Sequence, residues 1–229
     1  DMNKAIILLS GGIDSAVLLA LANRKGLDCL TLSFDYGQRN AKEELNAAKT
    51  LSVHYNAEHI PLTLTIPNRS HSSLINSELD VPKDRSIDEV YSSETPSTYV
   101  PGRNTLFLSY ALSLAEVEKA ESIYFGCMGE DKAYPDCRSE YVEAMQDVFS
   151  KALTYKGPKL ETPLLPLSKV QILKEALSLK LPLEHTFSCY APLLDGSPCE
   201  LCDACQRRSE GFKQLKVEDP LLSLQPQLS

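Results

Sequence analysis

The chain has 229 residues, 43% of them hydrophobic and 24% charged, with a net charge of −8 at pH 7. That is an ordinary globular composition, long enough for one α/β domain with a solid core and a small appendage. The acidic balance argues against broad binding to a nucleic-acid backbone, and no apolar run reaches the length of a membrane span.

The N-terminus has no basic-then-apolar leader pattern, so a cytoplasmic protein is expected, with Asp1 ahead of Met2 read as an addition to the natural start. Residues 5–9, Ala-Ile-Ile-Leu-Leu, form a short apolar run that predicts a buried strand. Good helix formers over 16–22 follow, closed by Lys25-Gly26. Between them lies Ser10-Gly11-Gly12-Ile13-Asp14-Ser15. A glycine-rich turn from the end of a strand to the start of a helix leaves the first helical amides unpaired at the positive end of the helix dipole. Gly11 and Gly12 are expected to take positive φ and let backbone approach a ligand, and Ser10 and Ser15 add hydroxyls. The result is a cup for an anion, most naturally a phosphate. No Gly-Lys-Ser/Thr follows, which excludes the P-loop of kinases, and no third spaced glycine follows, which excludes the dinucleotide fingerprint.

Residues 28–34 predict a second strand, ending in Asp35-Tyr36-Gly37-Gln38-Arg39. Strand ends on this edge of a parallel sheet line a ligand crevice. There Tyr36 can stack or hydrogen-bond and Arg39 can meet a phosphate or carboxylate, or the segment is a solvated turn. Ala41, Leu45, Ala48 and Leu51 give one helical stripe, and residues 57–62 a short third strand. From about 65 to 100 Ser, Asn, Asp and Pro dominate, which predicts a mobile lid or insert without regular elements and with His71 on its surface. Next, Pro101-Gly102-Arg103-Asn104 opens a helix over 105–117 that is apolar nearly all round and is therefore expected to be buried. Asn104 is expected to cap it, and Arg103 either faces an anion at that helix end or is solvated.

A strand over 122–125 leads into a loop, 126–138, dense in glycine, acids and bases. Its carboxylates can hold Mg2+ or a base edge, and Cys127 and Cys137 lack metal-type partners. Tyr141, Val142, Met145, Val148, Phe149 and Ala152 mark the next helix. Three prolines make 156–167 an extended crossing, and Ser168-Lys169-Val170-Gln171 is a capping box for a helix that ends at Leu181-Pro182.

Cys189, Cys199, Cys202 and Cys205 stand in C-x9-C-x2-C-x2-C spacing before a helix over 203–215. Four thiolates so spaced match a closed, structural Zn2+ site. A four-iron, four-sulfur cluster and two disulfides are the alternatives, the latter disfavoured by the odd cysteine count and the expected compartment.

The Ser-Gly-Gly-x-Asp-Ser loop resembles that of the N-type ATP pyrophosphatases, which split ATP into AMP and pyrophosphate and use the AMP to activate a substrate oxygen. One family in that group joins the same loop, in order, to Phe-Asp-Tyr-Gly-Gln-Arg, Pro-Gly-Arg-Asn, Tyr-Pro-Asp-Cys-Arg and four C-terminal cysteines. The chain resembles this family, the 7-cyano-7-deazaguanine synthases of queuosine biosynthesis, over residues 3 to 215. The resemblance implies a doubly wound parallel α/β sheet of the PP-loop ATPase type, with a nucleotide-binding domain over 1–185, a zinc segment and helix over 186–216 and a tail over 217–229. It also implies an ATP-dependent carbon–nitrogen ligase that turns a 7-carboxylate on deazaguanine into a nitrile with free ammonia. ATP would be held by Leu9, Ser10, Gly11, Gly12, Ile13, Asp14, Ser15, Asp35, Tyr36 and Arg39. The deazaguanine substrate would be held by Arg103, Asn104, Tyr134, Asp136 and Arg138. Catalysis would fall to Asp14, Ser15 and Arg103, zinc to Cys189, Cys199, Cys202 and Cys205, and Mg2+ would accompany ATP. A homodimer with small-molecule substrates, and with no membrane or direct nucleic-acid partner, is implied. The run Glu130-Asp131-Lys132-Ala133 departs from the family's Asp-aromatic-Ser-Gly and is about one residue shorter. That leaves room for a relative that stops at the amide, or for one that modifies tRNA directly. A nucleotide-binding sensor without turnover is the non-enzymatic alternative.

Overall fold

The computed structural model describes residues 3–66, 71–92, 94–131 and 133–223. Five parallel strands form one sheet in the order β3-β2-β1-β4-β5: β1 (Lys4–Leu8), β2 (Asp28–Asp35), β3 (Glu58–Thr63), β4 (Ser122–Tyr124) and β5 (Lys159–Glu161). The chain leaves the central strand β1 in one direction, through β2 and β3, and later returns to its other side as β4. The order therefore reverses between β1 and β4, and in such sheets the crevice at the carboxyl ends of that strand pair receives the ligand. β5 lies within the stretch expected only to be extended, in parallel register with β4 (Ile123 opposite Leu160).

β1 carries apolar side chains on both faces, as a central parallel strand must. Ala5, Ile7 and Leu9 pack with α1 (Ile13–Arg24), α6 (Lys169–Ser178) and α7 (Asp203–Leu215). Ile6 and Leu8 pack on the opposite side with α4 (Arg103–Glu118) and α5 (Ser139–Lys151). α2 (Ala41–His54) joins the first layer through Ala48 and Leu51.

Several expectations are corrected. α4 is not buried all round: Leu108, Ala111 and Ala115 are enclosed, while Tyr110 is 45% and Val117 75% exposed. The helix covers one sheet face and turns its other side outward, where single apolar residues are common. The residue before its first turn is Gly102, in the left-handed region at φ 70°, so Asn104 is not the cap. Within the expected lid, Ser86 and Glu89 form a capping box for a short helix, α3 (Ile87–Val90). The described part of that stretch is packed: Val81, Val90 and Val100 are buried, and the Asp84 amide donates to the Leu201 carbonyl at 3.0 Å. His71 is exposed. The last helix among the described residues, α8 (Pro220–Ser223), brings Asp219 under α7, where Arg208 donates to both its carboxylate oxygens at 2.5 and 2.8 Å. No helix among the described residues is long and apolar enough to cross a membrane.

Candidate active site

The cup is built by close packing beneath it. Gly11 has φ +89°, and a Cβ there would lie 2.7 Å from the Ala47 Cβ and 2.8 Å from the Glu44 carbonyl oxygen. Only glycine lets the turn press onto α2 in this way. Gly12, by contrast, precedes α1 with extended backbone (φ −75°), which corrects the expectation of positive φ at both glycines. The first helical bond of α1 runs from the Ala16 amide to the Gly12 carbonyl at 3.0 Å. The amides of Ile13, Asp14 and Ser15 precede it and are the orphan donors of a helix start. Ser15 is knitted into the turn: its Oγ accepts from the Ser10 amide at 3.1 Å and donates to the Gly12 carbonyl at 3.2 Å.

Two cavities meet over this turn. One, of about 250 Å3, runs along the ends of β1 and β2 and is lined by Leu9, Ser33, Phe34, Tyr36 and Phe107. The other, of about 210 Å3, opens toward the C-terminal segment and is lined by Gly12, Ile13, Tyr99, Tyr134, Lys169 and Arg207. Ser10, Asp14, Ser15, Glu44, Arg103 and Asn104 line both. The first cavity has an aromatic side, where Phe34 and Phe107 stack at 4.0 Å and 3°. The second is walled by charge.

The structure brings most of the sequence-predicted residues to this junction, but not all. Arg103 is held over the Tyr36 ring and donates to the Tyr36 hydroxyl at 3.2 Å, so it is not solvated. Burial pushes that phenol up to about 12. Asn104 is buried and donates to Cys137 Sγ. Arg39 does not reach either cavity. It donates to the carbonyls of Ser73 (2.8 Å), Asn76 (2.8 Å) and Leu79, and so fastens the 73–79 turns to the end of β2. Asp35 accepts the Gly37 amide at 3.0 Å and is outside both linings. Arg138 borders a separate shallow cleft with Ser139 and Glu140. Asp136 is buried behind the wall in the short turn Pro135–Cys137, with its Oδ1 lacking a partner and its carboxyl raised by burial. Cys137 does line the second cavity, but burial pushes its thiol well up, so it stays protonated and is no nucleophile.

Other residues were not picked out from the sequence. Lys169, the first residue of α6, places its ammonium on the Asp14 carboxylate. Arg207 donates to Asp131 at 2.8 Å and to the Val90 carbonyl at 3.1 Å, with its guanidinium over the Tyr91 ring. In the divergent run, Glu130 accepts the Lys169 amide at 3.0 Å, and Ala133 is buried; Lys132 lies outside the described residues. Glu44 accepts from the Gln38 amide group at 2.9 Å, and burial pushes its carboxyl up to about 7. Each residue carried some signal. Lys169 sits inside the capping box, Arg207 two residues after a cysteine ligand candidate, and Glu44 on the same helical face as Ala48 and Leu51.

Beside the second cavity the four cysteines converge. All four are buried and unbridged, and their sulfurs lie within 4.8 Å of one another. Cys189 and Cys202 sulfurs are 3.9 Å apart, twice a disulfide bond and close to the edge of a tetrahedron around one ion at ~2.3 Å. A four-iron cube would hold its thiolates farther apart. Backbone amides of Cys199, Cys202 and Tyr190 point at the sulfurs at 3.2 to 3.4 Å, as they do toward thiolates. The donor set therefore fits a single zinc ion with no open position. Ser188 and Tyr190, on either side of Cys189, line the second cavity.

Comparison with known proteins agrees with this geometry. The family described as "Queuosine biosynthesis protein QueC" matches residues 4–216. The 7-cyano-7-deazaguanine synthase of Coxiella burnetii (strain RSA 331 / Henzerling II) is 43% identical over 226 residues, 96% of this chain and 97% of that protein. The synthase of Trichodesmium erythraeum (strain IMS101) is 41% identical over 225 residues, 96% of this chain and 100% of that protein. That of Hydrogenovibrio crunogenus is 39% identical over 227 residues, covering 97% and 96%. A match of this extent, over a turn, a cavity pair and a cysteine cluster that all lie inside it, makes the chain a member of the QueC family of queuosine biosynthesis proteins.

Proposed function

We propose that the chain is an ATP-dependent carbon–nitrogen ligase that converts 7-carboxy-7-deazaguanine and ammonia into 7-cyano-7-deazaguanine, releasing AMP and pyrophosphate. The observation that carries this reading is the junction of two cavities over one set of orphan amides at the switch point of the sheet. The aromatic cavity suits a purine ring, the amides of residues 13–15 suit its phosphates, and the charged cavity suits the acceptor.

The chemistry asks for positioning and charge stabilisation more than for a nucleophile of the protein. A carboxylate is a poor electrophile. Attack of its oxygen on the α-phosphorus of ATP gives an acyl adenylate and pyrophosphate. Ammonia then displaces AMP to give the amide, and a second adenylation, on the amide oxygen, lets AMP leave as the nitrile forms. In this reading the helix-start amides and Lys169 hold the departing pyrophosphate. Arg103, fixed by Tyr36, neutralises charge at the junction, and Tyr134 and Arg207 border the deazaguanine. Mg2+, with Asp14 as the nearest carboxylate, would supply the remaining charge on the phosphates. Residues 1–185 carry the nucleotide, and the zinc segment, 186–216, supplies Ser188, Tyr190 and Arg207 to the acceptor wall. A homodimer in the cytoplasm belongs to the same proposal, and sedimentation tests the oligomer.

The deciding experiment incubates the protein with ATP, Mg2+, ammonium and 7-carboxy-7-deazaguanine and follows the products by mass spectrometry. Nitrile with two AMP per turnover is expected. Amide alone would replace the nitrile assignment and turn attention to the 130–133 run. Bound ATP without AMP would overturn the ligase reading.

A further inference from the structure

The junction of the cavities holds two carboxyl groups, Asp14 and Glu44. Asp14 is neutralised by Lys169. Glu44 makes no salt bridge among the described residues, and its close side-chain partners are neutral amides, Gln38 on Oε2 and Asn40. If the reading above holds, the acyl carbon and the α-phosphate must meet where the nucleotide and acceptor cavities join, and Glu44 is the unpaired acid at that point. We infer that Glu44 is a catalytic residue that takes a proton from ammonium at the junction and delivers ammonia to the acyl adenylate.

The proton balance requires such a group. At neutral pH the nitrogen arrives as ammonium, which has no free electron pair. One proton passes to the Glu44 carboxylate and frees that pair. The nitrogen–carbon bond forms, the bond from carbon to the AMP oxygen breaks, and AMP leaves with the electrons. The second proton, shed by the nitrogen once it is bonded to carbon, goes to water in the open cavity. A carboxyl that ordinarily titrates near 4.5 would be a weak acceptor, but enclosure of Glu44 brings it to about 7, where acceptance and later release are both feasible. The groups facing it are Tyr36, Gln38 and Asn40 from the end of β2 and the turn after it, Arg103 from α4, Glu43 on its own helix, and Asp14 and Tyr190 across the cavity. Arg103 holds the carboxylate form partly in place and Glu43 opposes it, with burial outweighing both.

The test is Glu44→Gln, which keeps size and hydrogen bonding. Three rates are read: amide and nitrile formation with ammonium, hydroxamate formation with hydroxylamine, and pyrophosphate–ATP exchange with 7-carboxy-7-deazaguanine but no amine. Hydroxylamine is uncharged at neutral pH and needs no proton taken before attack. The ammonium rate is expected to fall by about 100-fold or more. Exchange and hydroxamate formation should stay within about threefold of wild type, because adenylation is untouched. Glu44→Asp, which keeps the carboxylate, should recover part of the ammonium rate. Unchanged ammonium turnover in Glu44→Gln would overturn the inference. So would equal loss of all three rates with no recovery in Glu44→Asp, which would make the residue a part of the fold or of adenylation. A wild-type protein without exchange on this acid would instead bring down the functional reading itself.

Discussion

The two walls of the cavity pair owe their order to different things. The wall of the cup is one continuous turn, seated on side chains of α1 and β1 that are wholly buried, among them Ala5, Ile7, Ala16 and Val17. The facing wall is assembled from Tyr99, Tyr134, Lys169, Tyr190 and Arg207, which come from five separate stretches of chain. Few of these rest on a deep core. They are tied by ion pairs, by Arg208 to Asp219 beneath α7, and by the four-cysteine knot. A core fixes a turn by close packing over a large area, whereas cross-ties fix a wall only while each tie holds.

The largest effect should follow from cutting the knot. Cys202→Ser is expected to lose the metal and most of the soluble protein together, because ligation and folding of such a segment are one process. Metal content by mass spectrometry and soluble yield check it, and a folded, metal-loaded variant would break the contrast between the walls. On the cup side, Asp14→Ala should cost about 100- to 1,000-fold in AMP release, roughly 3–4 kcal/mol, while stability falls by less than that, through the Lys169 ammonium it leaves unpaired. A shift in stability as large as the loss of rate would mean that the cup, too, hangs on an ion pair.

A pH series sharpens the boundary between the walls at Glu44. Burial raises its carboxyl from 4.5 to about 7 in the folded chain, so the folded state holds that proton more tightly than the unfolded state does. The stability this residue contributes is full below pH 4.5 and is lost as pH rises through 7. The loss is about 2–3 kcal/mol over that window. In Glu44→Gln the fall in urea-unfolding free energy between pH 5 and pH 8 should be smaller by that amount; parallel curves would refute it. The smallest effect separates two neighbouring glycines. Gly11→Ala must take positive φ and press on Ala47, costing at least about 1–2 kcal/mol, while at Gly12 the nearest atoms to a new Cβ are 3.7 Å away and stability should be unchanged. Chemical denaturation of the two variants measures the difference.

The same contrast explains what was readable in the sequence. The cup was legible because strand, glycines, acid and helix start are contiguous, and the physics of a helix end needs nothing from elsewhere. The cysteines were legible because tight spacing is itself the signal. The charged wall was not, since Lys169 and Asp14 are 155 positions apart and only the fold makes them neighbours. Arg39 misled for a related reason: it follows a strand end that does border the site, but carbonyls of the 73–79 turns claim its guanidinium. The outward side of α4 was misread because an apolar composition does not fix which side of a helix meets the sheet. A better guide was available at Glu44, a charged residue on an otherwise apolar stripe.

Cys189 belongs to the four-cysteine cluster and is joined by one peptide bond on each side to a residue of the cavity wall, Ser188 and Tyr190. Loss of one sulfur from the cluster by oxidation is therefore expected to do what Cys202→Ser does, releasing the segment and with it Ser188, Tyr190 and Arg207 from the cavity wall, and a reductant with zinc would restore it only while the sulfurs had not passed beyond the disulfide stage.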